Sequence, residues 1–242
     1  MSSALPTTGF QQDEESVRQF FDQWHIYRKV VELNYLHHRE EFAAVAEVLK
    51  TLTTPFSFID LGAGDAHWTS RVLGDCPVKS YEAVDISAIA LGYAKENLAS
   101  FTCEKKFTQA NFFEYVKQCT ATYDVAFIGL SFHHLVREDK NRFFPEMRRI
   151  IKDGGRFLFY EPICEEGEIR EEHFQRWWND TFSHWDKMTP EELKAVHDHV
   201  SSSDYPEPPE VYTAMAKANG FREARMIYKT SDNYYGVFDC VA

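Results

Sequence analysis

At 242 residues, 44% of them hydrophobic, the chain has enough apolar side chains for the core of one large domain. Its net charge of −12 argues against nucleic acid, whose binding draws on Lys and Arg, and favours a small-molecule partner. The five cysteines are odd in number and form no Cys-x-x-Cys pair, which argues against a disulfide framework and for a reducing, cytoplasmic setting.

Residues 1–15 are polar and acidic with no apolar stretch, so neither a secretory signal nor ordered structure is expected there. No segment approaches the roughly 18 apolar residues that cross a bilayer, and no membrane partner is expected. From Glu14 to Leu52 apolar residues recur at helical spacing, beginning with Val17, Phe20, Phe21 and Trp24. Their aromatic density suits a core-facing stripe, or a lid over residues 16–52 from which Tyr27, Tyr35 or His38 reaches a ligand. His37 and His38 would point about 100° apart on a helix and make poor joint metal ligands.

Phe56 to Ile59 reads as a buried strand ended by Asp60. Gly62 and Gly64 then allow a tight turn, and His67 to Leu73 suits a helix. Such a corner turns backbone N–H groups toward a ligand, and glycine lets that ligand approach closely. The third glycine of the usual dinucleotide fingerprint is missing. Lys79 to Val84 predicts a second strand ended by Asp85, a carboxylate about 20 residues beyond the turn and placed for ribose hydroxyls. Glu82, before the strand's end, is expected to face outward. A helix over Ala88 to Leu98 follows, then a short strand over Lys105 to Gln109 that runs into Asn111 and Phe112.

Tyr123 to Leu130 is nearly continuous in apolar residues, as a central parallel strand should be. It delivers Ser131-Phe132-His133-His134-Leu135 at its carboxyl end. A helix over Lys140 to Ile151, a turn at Gly154-Gly155 and a fifth strand over Arg156 to Tyr160 lead to Glu161-Pro162. Residues 163–209 break the alternation, being acidic and rich in aromatic and histidine residues, among them Trp177, Trp178 and Trp185. They read as a helical insertion over the sheet's carboxyl edge, with one helix start at Thr189-Pro190. His197 and His199 would face opposite sides of a helix, so no metal is expected there. A helix over Val211 to Ala218 and strands over Phe221 to Lys229 and Tyr234 to Val241 complete the chain.

Three blocks together resemble the class I, Rossmann-like, S-adenosylmethionine-dependent methyltransferases of small-molecule type. They are Asp60-x-Gly62-x-Gly64, Ala83-Val84-Asp85-Ile86-Ser87, and the run from the fourth strand through His133-His134-Leu135 to Gly154-Gly155 and Glu161-Pro162. The resemblance covers roughly Phe56 to Ala242. It implies an α/β doubly wound, mostly parallel seven-stranded sheet with helices on both faces, in one domain over residues 16–242. S-adenosylmethionine would be the cofactor and S-adenosylhomocysteine the product. Gly62 and Gly64 would pass under its methionine and ribose, Asp85 would hold the ribose, and Asn111 with Phe112 would meet the adenine amino group and ring. Ile86 and Ser131 complete this cofactor set, while Asp60 would orient the turn and reach the cofactor's amino end through water. The family more often has Asp where Asn111 stands.

The implied reaction is in-line methyl transfer to a nitrogen, oxygen or sulfur acceptor. His133 or His134 would take the acceptor's proton or orient it, and Glu161 would hold its polar end. Tyr27, His38, Phe132, Trp177, Trp178 and Trp185 would enclose it, which favours an amine or another polar metabolite. No Asn-Pro-Pro-Tyr follows the fourth strand, as it does in enzymes that methylate nucleobase amino groups, and no acidic metal cluster is visible. A nicotinamide-dependent oxidoreductase is the alternative enzyme, disfavoured by the missing glycine and by the lack of a Tyr-x-x-x-Lys pair. A non-catalytic binding protein is the other alternative, and a homodimer is compatible with either.

Overall fold

The computed structural model describes residues 24–242. The expectations for residues 1–15 and for Val17, Phe20 and Phe21 lie outside them. Two helices come first, α1 (Trp24–Glu32) and α2 (His38–Leu49). Strands and helices then alternate through β1 (Phe56–Leu61), α3 (His67–Leu73), β2 (Val78–Asp85), α4 (Ala88–Asn97) and β3 (Glu104–Gln109). Next come α5 (Phe112–Gln118), β4 (Tyr123–Gly129), a single 3-10 turn over Phe132–His134, α6 (Arg137–Ile150) and β5 (Ile151–Pro162). The insertion contributes α7 (Arg170–Thr181) and α8 (Pro190–Ser203), and α9 (Pro209–Ala218), β6 (Glu223–Lys229) and β7 (Tyr235–Val241) close the fold.

The strands form one sheet in the order β3-β2-β1-β4-β5-β7-β6. β1 to β5 run parallel, and β7 lies antiparallel between β5 and β6. The chain leaves β1 toward β2 on one side and returns to β4 on the other. A crevice therefore opens at the carboxyl ends of β1 and β4, where doubly wound sheets bind ligands. Every residue of β1 is buried, as a strand covered on both faces requires. On one face α1 and α2 bring Val30, Phe42 and Leu49 against Phe58 and Tyr160. On the other, Ile59 and Ile128 meet Phe143, Phe144 and Phe159. No helix among the described residues is long and apolar enough to cross a membrane.

Local chemistry accounts for several element starts. Ser87 Oγ accepts the Ala90 N–H at 3.2 Å and caps α4. Thr189 and Glu192 form a reciprocal capping box at α8, with Pro190 in the first turn. Three expectations need correction. Asn111 begins a helix, α5, where no element was placed beforehand, because its side chain caps the first amides. Gly154-Gly155 is an irregularity inside β5, not a turn before it: Gly154 has φ +78°, and a Cβ on Gly155 would stand 2.7 Å from the Asp124 carbonyl oxygen. Glu82 faces inward, accepting the Tyr123 hydroxyl at 2.7 Å, a hydrogen bond from Tyr115 and an ion pair from Lys106.

Candidate cofactor and acceptor site

After β1 the backbone passes through left-handed conformations at Gly62 (φ +65°) and Gly64 (φ +55°), which glycine adopts without strain. A Cβ on Gly62 would lie 2.3 Å from Ser131 Oγ, so the turn packs directly on the end of β4. The Gly62 N–H donates to the Val84 carbonyl at 2.8 Å, and the Gly64 N–H donates to Asp85 Oδ2 at 2.8 Å. Asp85 Oδ1 accepts the Ser87 N–H at 2.7 Å. Each carboxylate oxygen thus has one backbone partner and a second lone pair, which suits a pair of neighbouring hydroxyls. Burial pushes the Asp85 carboxyl above its usual range, against the pull of the Ser87, Gly64 and Ile86 N–H groups. Asp60 lies beneath the turn, fully buried, accepting the Tyr81 hydroxyl at 2.5 Å and raised to about 7 by burial.

This glycine turn and free half of a carboxylate at a strand end fit the ribose of S-adenosylmethionine. Asn111 fits its adenine differently from expectation. Its side-chain oxygen accepts both the Phe113 N–H at 2.9 Å and the Glu114 N–H at 3.3 Å. It can therefore donate to an adenine ring nitrogen, but its oxygen has no lone pair left for the amino group. Phe112 beside it is half-buried and meets Phe143 edge-on.

Beside the ends of β4 and β5, under α7 and α8, lies a cavity of about 660 Å³ counting its mouth. Tyr27, Leu36, His134, Trp177, Trp185 and Tyr235 are among its walls. Trp177 Nε1 donates to the Tyr235 hydroxyl at 3.0 Å, and Trp185 stacks on Tyr35 with ring centroids 4.8 Å apart. Tyr27 is part of the cavity wall. Its hydroxyl is pushed upward by burial and then by the charges of Asp65, Asp85 and Glu161.

The polar wall of the cavity is a histidine and carboxylate network. Glu161, at the end of β5, accepts the Ser131 and Phe132 N–H groups on Oε1 at 3.1 and 2.9 Å. Its Oε2 accepts the His133 N–H at 3.0 Å and lies 2.5 Å from His133 Nδ1. Burial raises Glu161 to about 7, although those three N–H groups favour its charged form. His134 Nδ1 lies 3.1 Å from the Ser203 carbonyl and 3.3 Å from Asp204 Oδ1. Burial drives His133 down to about 3. For His134 the Asp204 carboxylate and the Ser203 carbonyl outweigh burial and raise it. Asp204 is held below its usual range because the neighbouring imidazoles outweigh its own burial.

Tyr27, His133, His134, Trp177 and Trp185 come together around the cavity, and Asp60, Gly62, Gly64, Asp85 and Ser131 around the glycine turn. Ile86 sits between Asp85 and the α4 cap, half-buried. Four expected acceptor contacts need correction. Glu161 is fully buried with both oxygens engaged, so it positions His133 and does not hold an acceptor. Phe132 points to the other side of the sheet, packed on Phe143 at 5.1 Å and Phe159 at 5.8 Å. Trp178 stacks on Phe182 and lines a separate surface groove with His197, although its neighbour Trp177 faces the cavity. His38 is buried between Phe42 and Tyr160 and does not border the cavity. His173, His199, Asp204 and Tyr235 border it without having been foreseen. For the two histidines the only signal was the density of histidine in the insertion.

Residues 58–155 match a family model described as a methyltransferase domain. An uncharacterized methyltransferase of Bacillus cytotoxicus is 25% identical over 152 residues, covering 61% of this chain and 68% of that protein. Among solved structures, magnesium protoporphyrin IX methyltransferase from Synechocystis with bound S-adenosylhomocysteine is similar, with a TM-score of 0.65 at 13% identity over 95% of this chain and 99% of that one. The apo form of SibL, an S-adenosylmethionine-dependent methyltransferase, gives a TM-score of 0.60 at 15% identity over 89% of this chain. This chain spans only 57% of SibL. At these identities the solved structures show a shared fold.

Proposed function

We propose that this protein, a class I S-adenosylmethionine-dependent methyltransferase by its matched domain and its fold, methylates a small molecule enclosed between the ends of β4 and β5 and helices α7 and α8. The observation that carries this reading is the cavity at the carboxyl ends of β4 and β5, walled by aromatic rings and edged by His133 and His134. A concave, largely apolar site with a few converging polar groups is the kind of place where small molecules bind.

S-adenosylmethionine supplies a methyl group on a sulfonium, so the protein's share of the work is alignment and a dry site. Gly62, Gly64 and Asp85 hold the adenosyl half. Tyr27, Trp177, Trp185 and Tyr235 exclude water, and their ring faces favour a cationic or neutral acceptor. The net charge of −12 works against an anionic one. His133, held by Glu161, and His134 stand where they orient the acceptor or receive its proton. Nitrogen, oxygen and sulfur acceptors are all compatible with these walls.

The test is turnover with methyl-labelled S-adenosylmethionine and a panel of small amines, thiols and hydroxy acids, alongside RNA and protein substrates. Label in the small-molecule fraction is the expected result. Label only in RNA or protein, or none on the whole panel from a protein that binds S-adenosylhomocysteine, overturns the proposal. Calorimetry with NADH against S-adenosylhomocysteine disposes separately of the nicotinamide alternative.

A further inference from the structure

Three histidine side chains converge on one carboxylate oxygen. His133 and His134 lie in the turn after β4, His199 in the last part of α8, and Asp204 directly after it. Asp204 Oδ1 is 3.5 Å from His133 Nε2, 3.3 Å from His134 Nδ1 and 4.0 Å from His199 Nε2. The donor atoms of His133, His134 and Asp204 all lie within 4.8 Å of one another, and all four residues are buried. Ligands about 2.0–2.1 Å from a tetrahedral ion stand about 3.3–3.4 Å from each other; the His133 and His134 nitrogens are near that distance from Asp204 Oδ1, and His199 stands somewhat farther.

Two further observations point to a cation. Asp204 Oδ1 is buried, and no donor among the described residues meets it in hydrogen-bond geometry. His133 is also fixed from behind, with Nδ1 2.5 Å from Glu161 Oε2, whose other contacts are backbone N–H groups. A carboxylate at Nδ1 keeps the ring proton there and leaves the Nε2 lone pair facing Asp204 Oδ1. The nearest ring N–H to that oxygen, His134 Nδ1 at 3.3 Å, also faces the Ser203 carbonyl, and a bound ion would take the place of its proton. A carboxylate behind a histidine is also the usual outer-shell support of a metal-bound imidazole.

We propose that His133, His134, His199 and Asp204 bind a divalent transition-metal ion of the zinc class, with Glu161 as the outer-shell carboxylate. On binding, His134 Nδ1 gives up its proton to solvent, and with it the hydrogen bond to the Ser203 carbonyl, and its freed lone pair takes the ion. Three imidazoles and one carboxylate suit zinc, cobalt or iron better than magnesium or calcium, which take oxygen ligands. All four residues border the cavity, so its interior is where water or an acceptor's heteroatom completes the coordination sphere. The expectation of no metal weighed His199 only against His197, whereas in the structure its neighbours are His134 and Asp204. The proposal stands on donor geometry and not on methyl transfer, so either can fail without the other.

The test uses the full-length protein, treated with chelator, dialysed and titrated with Co²⁺ and then Zn²⁺. The expected result is one ion per chain, with the visible bands of a low-coordinate cobalt site that Zn²⁺ abolishes. Asp204→Asn and His199→Ala should each weaken binding by at least about a hundredfold, and Glu161→Gln by roughly tenfold. His197→Ala, half exposed on α8, should leave it unchanged. Affinity for S-adenosylhomocysteine, measured on each variant, reports that the fold is intact. Wild-type protein without those bands, or binding that survives both Asp204→Asn and His199→Ala, overturns the proposal. If a variant fails to fold, the wild-type spectrum decides alone.

Discussion

Glu161 Oε2 stands 2.5 Å from His133 Nδ1, and the same carboxylate accepts the backbone N–H groups of residues 131 to 133. One buried side chain therefore fixes both the turn after β4 and the ring that the turn presents to the cavity. Glu161→Gln keeps the shape but turns an N–H₂ group toward donors. Unfolding in urea should show a loss of about 1–3 kcal/mol, the cost of a buried polar group left unsatisfied. Turnover should fall further than affinity for S-adenosylhomocysteine. Unchanged turnover would mean that His133 does not depend on this carboxylate.

Asp85 joins the glycine turn to the end of β2 through the Gly64 and Ser87 N–H groups. If its remaining lone pairs accept the ribose hydroxyls, Asp85→Ala removes hydrogen bonds to a charged group worth roughly 1.5–3 kcal/mol each. Calorimetry should then show affinity for S-adenosylhomocysteine reduced at least about tenfold, with the far-ultraviolet circular dichroism retained. Equal affinity would take Asp85 out of the site.

Gly62 is held at φ +65° with Ser131 Oγ 2.3 Å from where a Cβ would stand. Gly62→Ala should cost about 1–3 kcal/mol from backbone strain, with the contact to Ser131 adding to it. Adding Ser131→Gly should restore the part due to contact and leave the part due to strain. A double variant no more stable than Gly62→Ala alone would show that Ser131 can move aside.

Glu41 on α2 is fully buried, and its two oxygens meet no hydrogen-bond partner among the described residues. Burial, followed by the charges of Asp232 and Glu40, raises its carboxyl from 4.5 to about 9. Between those two values the folded protein holds a proton that the unfolded chain has released. Stability therefore falls as pH rises through that window, by up to about 1.4 kcal/mol per pH unit. Glu41→Gln carries no titrating proton. Its melting temperature should gain on the wild type steadily from roughly pH 5 to pH 9, where linkage operates. Parallel curves would show that Glu41 is ionised in the folded state.

The parts of the site that were legible in the sequence act over short range. Gly62, Gly64 and Asp85 announce themselves because a left-handed turn and a strand-ending acid are local requirements of the backbone. His133 and His134 follow from the apolar run of β4, which fixes where its carboxyl end must lie. Side-chain direction was less legible. Phe132 and His133 are neighbours in a 3-10 turn, yet one enters the core beneath the sheet and the other borders the cavity. Trp177 and Trp178 are likewise separated by about 100° on α7, so only one faces inward. His199, Asp204 and Tyr235 reach the site only through long-range contacts, the end of α8 against the turn after β4 and β7 beside β5, which no local pattern specifies.

A crystal structure with bound S-adenosylhomocysteine tests the acceptor assignment most directly. The expected result is a cofactor sulfur that faces the cavity bordered by His133, Trp177 and Tyr235, close enough for an acceptor held there to reach it in line. A sulfur walled off from that cavity by packed side chains, or opening onto a wide surface groove, would contradict it.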